Sequence, residues 1–339
     1  MRPYKFYKGI NRWIFGGKMC NKFDISVIIP VYNVEKYVYE TIKSVVNQNF
    51  SKYEIIIIND GSKDKSLKII EEYLSKENVE YTIINQTNQG LSAARNRGIK
   101  EAKGNYICFI DSDDIIQSSH LYTLFTLAEN NRLQVVHSNF EMTRENNREG
   151  SIIEDYQEKV FSKYETIEYA IRRKPAVLVC GFLLKRDFVI EKNLWFNEKL
   201  RFGEDSDYIW RVLFECEKVG FTNKSTYKYL QRDNSIMRSI SNSQMECFIE
   251  EFSRTIKNIE KRNRTEKKLA KTVYYRVIIG ALHSYSRCAD KEKFRSILNK
   301  INRKELCIYL RKFPDIRIKI LSILLRVAPI CFYKMFNKR

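Results

Sequence analysis

The chain repeats one alternation again and again: a short apolar, β-branched run, then a stretch with apolar residues at helical spacing. The runs are "ISVIIPV" (25–31), "YEIIIIND" (53–60), "VEYTIIN" (79–85), "NYICFID" (105–111) and "LQVVHSN" (133–139). Between them lie 36–48 with Val38, Ile42 and Val45 or Val46, a segment marked by Leu67, Ile70 and Leu74, then 91–104 closed by Gly104, and 119–130. Runs that are apolar at nearly every position need cover on both faces, which a parallel sheet between helices provides. A repeat of about 25–30 residues is the length of a β-α-β crossover. The expected class is α/β, with a mostly parallel central sheet flanked by helices.

Polar residues gather where those runs stop. Asn33 follows the first, Asp60 the second, Asn88 the third, and Asp111 and Asp113 the fourth. These are carboxyl ends of strands, where open α/β sheets bind ligands. "CFIDSDDIIQ" places Asp111, Asp113 and Asp114 within four positions. Carboxylates that close repel and raise one another's pKa, so they call for a cation or a solvated helix-capping turn. No G-x-G-x-x-G follows the first run, where Pro30, Val31, Tyr32 and Asn33 stand, and no G-x-x-x-x-G-K-[ST] occurs. Bare backbone therefore does not cradle a pyrophosphate here. An acidic rim still holds a diphosphate through Mg²⁺ or Mn²⁺, which take one or two carboxylates plus substrate phosphates.

The net charge of +19 on 339 residues is unevenly spread. Residues 254–339 hold 24 Lys and Arg against 6 Asp and Glu, and residues 1–19 hold 5 against none. The segment between them is slightly acidic, with 31 against 35. A nucleic-acid-binding or polyanion-binding protein would suit the total, but the tail has no recognisable binding module and the body is acidic, so no nucleic acid is expected. A phospho-accepting receiver-like domain needs about half this length. The eight scattered cysteines show no C-x-x-C and no metal-ligand spacing with His120, His137 and His283, which suits a reducing compartment rather than a zinc site. The opening lacks an apolar h-region, Met19 is an alternative start, and no apolar run approaches 18 residues. The expected organisation is a basic segment 1–23, a ligand-binding half 24–140, a second half 141–245, and a helical basic region 246–339.

Five stretches, "SVIIPVYN", "IIINDGSKDKS", "NQGLSAARNRGI", "AKGNYICFIDSDD" and "FNEKLRFGEDSDYIWRVL", resemble, in order and spacing, family 2 inverting glycosyltransferases over about residues 24–240. The resemblance implies the GT-A fold and a nucleotide-diphospho-sugar donor, UDP-sugar by type. Pro30, Tyr32 and Glu35 would line the uracil and ribose end. Asp60 would accept from the uracil ring, with Asn88 and Arg95 on the same nucleotide. Asp111 and Asp113 resemble the D-x-D element, Asp113 ligating Mn²⁺ or Mg²⁺ and Asp111 reaching the ribose or the metal's water shell. Asp205 resembles the general base, and Arg232 and Ser235 the segment that closes over the diphosphate. Glu204 and Asp207 flank Asp205. On a helix those two share a face while Asp205 lies about 100–200° away, and the choice of Asp205 rests on the motif. Such a set suffices for inverting transfer, since a metal and cationic side chains replace the acid that a glycosidase needs. A nucleotidyltransferase shares the fold and metal logic but normally carries a Gly-rich basic turn after the first strand. The resemblance further implies a glycan or lipid-linked acceptor and bacterial surface polysaccharide assembly, capsule or O-antigen.

The tail ends in "DIRIKILSILLRV" (315–327) between Pro314 and Pro329. At 100° per residue Asp315, Lys319, Ser322 and Arg326 form one polar stripe, with Arg317 out of place and apolar residues over much of the rest. That pattern is one of a helix lying on an anionic membrane surface. The expected location is cytoplasmic, peripheral at the inner face of the cytoplasmic membrane. The alternative is a helix packed onto the body with solvated charges.

Overall fold

The computed structural model describes residues 12–15, 18–144, 147–152, 158–172, 176–231, 241–286, 291–311, 313 and 315–336. They divide into two compact units that interleave along the chain. One comprises 1–162, 177–198 and 215–231; the other comprises 163–176, 199–214 and 232–339.

The first unit opens with a hairpin, β1 (Arg12–Phe15) and β2 (Lys18–Asn21). The expected alternation follows: β3 (Ile25–Val31), α1 (Val38–Val46), β4 (Tyr53–Asn59), α2 (Ser66–Leu74), β5 (Tyr81–Asn85), α3 (Leu91–Glu101) and β6 (Tyr106–Phe109). β6, β3, β4 and β5 lie side by side, all parallel. Every residue of β3 and β4 is buried, as their mainly apolar character requires, and polar Ser26 donates to Glu54 across the pair at 2.7 Å. Next come β7 (Ile115–Ile116), α4 (His120–Asn131), β8 (Val135–Arg144), β9 (Asn147–Ile152) and β10 (Lys159–Ser162). After α5 (Lys163–Arg172), which belongs to the second unit, the chain returns as β11 (Phe182–Lys185) and α6 (Arg186–Glu191). Following α7 (Glu204–Glu215) it returns again as β12 (Lys218–Gln231). The sheet order is β10-β12-β8-β11-β6-β3-β4-β5. The run 133–139 does form a strand, but it does not join the fourth run directly. Four residues of β11 enter between β6 and β8, antiparallel to both.

The second unit consists, among its described residues, of helices: α5, α7, α8 (Asn242–Glu260), α9 (Arg264–Ser286), α10 (Lys291–Asn299), α11 (Arg303–Leu310), α12 (Ile316–Val327) and α13 (Pro329–Phe336). Ser241 opens α8 with a reciprocal cap, its hydroxyl on the Gln244 N–H and the Gln244 amide on its own N–H. Ring contacts fill the interior: Phe248 stacks on Phe252 at 5.5 Å and Phe294 on Phe332 at 6.0 Å. The stripes of α12 fall otherwise than expected. Ser322 is buried with Ile318 and Leu325, its hydroxyl turned back onto the Lys319 carbonyl at 2.8 Å, while apolar side chains face outward. Pro314 lies outside the described residues.

Candidate active site

The loop after β3 and the "NDGSKD" turn after β4 are sewn together by short polar side chains. Asn33, held at φ 50°, donates its N–H to Ser62 Oγ (3.2 Å) and accepts the Lys63 N–H at Oδ1 (2.8 Å). Glu35 accepts the Lys65 N–H (2.9 Å) while its own N–H binds Asp64 Oδ2 (2.9 Å). Tyr32 stands exposed beside this seam and Pro30 lies buried within β3. Asp60 is buried: Oδ1 accepts Gln86 Nε2 and the Gln89 N–H, each at 2.8 Å, and Oδ2 accepts the Gly90 N–H at 2.7 Å. Its carboxylate thus shapes the 86–90 loop that presents exposed Asn88. Gly61 is needed where the two loops meet. Its φ is 75°, and a Cβ there would stand 3.0 Å from the Asn88 nitrogen.

The acidic turn after β6 separates into three carboxylates with different surroundings. Asp111, its side chain 25% exposed, pairs through Oδ1 with Arg95 Nη2 at 2.8 Å. Arg95, on α3, is fully buried, with its guanidinium 5.1 Å from the centre of the Phe196 ring. Asn96 holds that ring's backbone on both sides, donating to the Phe196 carbonyl (3.0 Å) and accepting its N–H (2.7 Å). Arg95, expected on the nucleotide, is buried and pairs with Asp111, where a hydrogen-bonded ion pair fixes a carboxylate. Asp113 is half-buried. Asp114 is buried and turned away, accepting the Tyr227 hydroxyl at 2.6 Å and the Leu230 N–H at 2.7 Å from β12. Burial, then the charges of Asp111 and Asp113, push its carboxyl well above the ordinary carboxylate range.

Among the described residues no group of three His, Cys, Asp or Glu side chains forms a metal cage. The donor set nevertheless suits a shared site. Asp114 has both oxygens engaged by β12, whereas Asp111 and Asp113 are only partly buried, and Mg²⁺ or Mn²⁺ commonly bind one or two carboxylates plus substrate phosphates.

In the second unit, α7 begins at the other acidic motif. Gly203 has φ 76°, and a Cβ there would run into the Phe248 ring at 2.2 Å, so glycine is required. The geometry sets Asp207 apart from the other two acids of "GEDSD". Asp207 is buried, bound to Arg211 Nε (2.8 Å) and Thr255 Oγ1 (2.6 Å), and ties α7 to α8. Glu204 and Asp205 remain half-buried at the start of the helix. Pro30, Tyr32, Glu35, Asp60, Asn88, Arg95, Asp111 and Asp113 all belong to the first unit, Asp205 to the second. Arg232 and Ser235 lie outside the described residues. Asn96, Phe196 and Tyr227 were not anticipated beside the site, nor was the inward turn of Asp114. Asn96 sits inside "NQGLSAARNRGI", so the motif held a signal for it; Tyr227 had none, standing in a long strand of mixed character.

Residues 26–193 match the model of Glycosyl transferase family 2. The uncharacterized glycosyltransferase EpsJ of Bacillus subtilis is 36% identical over 215 residues, 62% of this chain and 62% of EpsJ. The minor teichoic acid biosynthesis protein GgaB of Bacillus subtilis is 30% identical over 217 residues, 62% of this chain and 23% of GgaB. The matched part thus spans less than two thirds of either relative's length. Among solved structures, S. aureus TarS 1-349 in complex with UDP-GlcNAc superposes with a TM-score of 0.69 at 20% identity, over 93% of this chain and 90% of that one. That likeness is one of fold.

Proposed function

We propose that this chain, which belongs to glycosyl transferase family 2 through residues 26–193, moves a sugar from a UDP-sugar to a hydroxyl of a glycan or lipid-linked acceptor in bacterial surface polysaccharide assembly. The observation that carries the reading is the acidic turn at the carboxyl end of β6, with Asp111 anchored by buried Arg95 and Asp113 half-buried beside it. The UDP-GlcNAc in the TarS complex and the teichoic acid biosynthesis for which GgaB is named support the donor and acceptor classes.

In the reaction a bond forms between the acceptor oxygen and the anomeric carbon while the bond from that carbon to the diphosphate oxygen breaks, with inversion. The acceptor proton goes to Asp205, chosen by the motif over Glu204, which is equally half-buried, while Asp207 is buried on Arg211 and Thr255. Asp111 and Asp113 would hold a divalent cation, which when bound supplies charge neutralisation for the departing diphosphate. Arg95 keeps Asp111 in place, and Asp60 and Asn88 shape the nucleotide end. Arg232 and Ser235 are assigned to closure over the diphosphate on the motif alone. The basic tail holds the protein at an anionic membrane surface, the inner face of the cytoplasmic membrane; none of the described helices is long and apolar enough to cross a bilayer. The test is UDP release from a panel of UDP-sugars with Mn²⁺. Release is expected from at least one donor and should vanish in Asp113→Ala. Release that persists in excess chelator would refute the metal role, and release from no donor would refute the donor class.

A further inference from the structure

The outward side of α12 is apolar. Ile316, Ile320, Ile323 and Val327 are 62%, 53%, 51% and 75% exposed. At 100° per residue all four fall within about 60° of one another. Arg317 lies about 90° to one side of this stripe; Arg326 and the half-buried Lys319 lie about 70–90° to the other. Arg317 grips Asp315, the cap of the helix, at 2.8 Å, so Arg326 and Lys319 are the cations on the rim that no acid in the helix offsets. The opposite side is fixed by buried Ile318, Ser322 and Leu325. A helix whose inward side is already packed and whose outward side is greasy with a basic rim has an unfilled contact.

We propose that this stripe is the part of the protein that enters an anionic lipid leaflet, with α12 lying in the plane of the surface. The inference rests on the membrane-surface part of the function above and adds the face that inserts. Charge complementarity selects the occupant. Acyl chains lie beneath a layer of phosphates, which matches an apolar stripe edged by cations within a tail of 24 basic and 6 acidic residues. A second copy packed stripe to stripe would bring basic rims together. At 12 residues the helix is about 18 Å long, too short to span a bilayer and long enough to lie on one.

Substitution tests this better than truncation, because residues 306–339 contribute buried Leu306, Leu310, Leu325 and Phe332 to the second unit. The full chain and Ile320→Ser/Ile323→Ser are sedimented with phosphatidylglycerol-containing and pure phosphatidylcholine vesicles, at low and high salt. The wild type should bind the anionic vesicles and weaken with salt. The double variant should bind at least roughly tenfold less, since burying one isoleucine is worth about that factor or more. In parallel, Ile323→Trp should gain emission that brominated lipid quenches, a readout that holds if the double variant folds poorly. Equal anionic binding by the wild type and the double variant, with no added quenching, overturns the insertion face and leaves a purely electrostatic membrane contact standing. No vesicle binding by the wild type, or a concentration-dependent dimer that the double variant abolishes, overturns both.

Discussion

Neighbouring acids of one motif can hold opposite jobs, and burial sorts them. Asp207 binds Arg211 and Thr255 from a buried position, whereas Asp205, two residues earlier, keeps contact with solvent. Asp205→Asn should therefore lower kcat by roughly 10²–10⁴ with donor KM and unfolding midpoint nearly unchanged. Asp207→Ala should cost about 3 kcal/mol of stability, because it strands a partly buried arginine; steady-state kinetics and urea unfolding separate the two. The first motif divides similarly, since the third acid of "DSDD" is spent on Tyr227 and Leu230. That the cluster sits at the carboxyl end of a buried strand was legible in its place after an apolar run. Which carboxylate turns inward was not, because the deciding partners stand more than a hundred residues away along the chain. The buried histidines make a pH-dependent prediction. His120, bound to Thr226 Oγ1 at 2.8 Å, is pushed by burial and by His137 down to about 3, and His137 by burial down to about 4. Their folded values lie below an unfolded value of about 6.5. The stability they contribute is thus full above pH 6.5 or so and is lost as the pH falls toward the folded values. Urea midpoints should decline over that window, and His120→Gln should make the decline shallower.

Among elements, α3 carries the most. It bears buried Arg95 and Asn96, which hold Asp111 and the Phe196 backbone, and Gly98 lets it approach β3 so closely that a Cβ would stand 2.2 Å from Ile28 Cγ2. Gly98→Val should cost roughly 1–3 kcal/mol through overpacking. Because the displaced helix carries the partner of Asp111, UDP binding should weaken as well; a urea curve and a binding titration on the same variant check both. The parallel half of the sheet was readable because β3 and β4 are buried on both faces and show it at every position. β11 was not readable. "FLLK" is too short to carry a period, and its place between β6 and β8 is set by pairing with strands far away in the chain. The helical spacing of α12 was readable too, but its orientation was not: a serine hydroxyl satisfied by its own helix lets Ser322, counted with the polar stripe, pack inward.

At the scale of the molecule, charge and chemistry are carried by different parts of the chain. The motifs lie within a slightly acidic stretch, and most of the positive charge follows it in the helical tail. On the proposed function, such a division would draw the protein to an anionic surface without covering the diphosphate site in cations, leaving the diphosphate to an intervening metal. The central claim is that the carboxyl edge of the parallel strands is a metal-dependent nucleoside-diphosphate site built on Asp111 and Asp113. Calorimetric titration of UDP into the full chain tests it without knowledge of sugar or acceptor. UDP should bind with Mn²⁺ present, lose most of that affinity in chelator, and bind Asp113→Ala only weakly whether or not Mn²⁺ is added, while Asp205→Asn binds like the wild type. Absence of UDP binding to the wild type, or equal Mn²⁺-dependent binding by Asp113→Ala, would contradict the account.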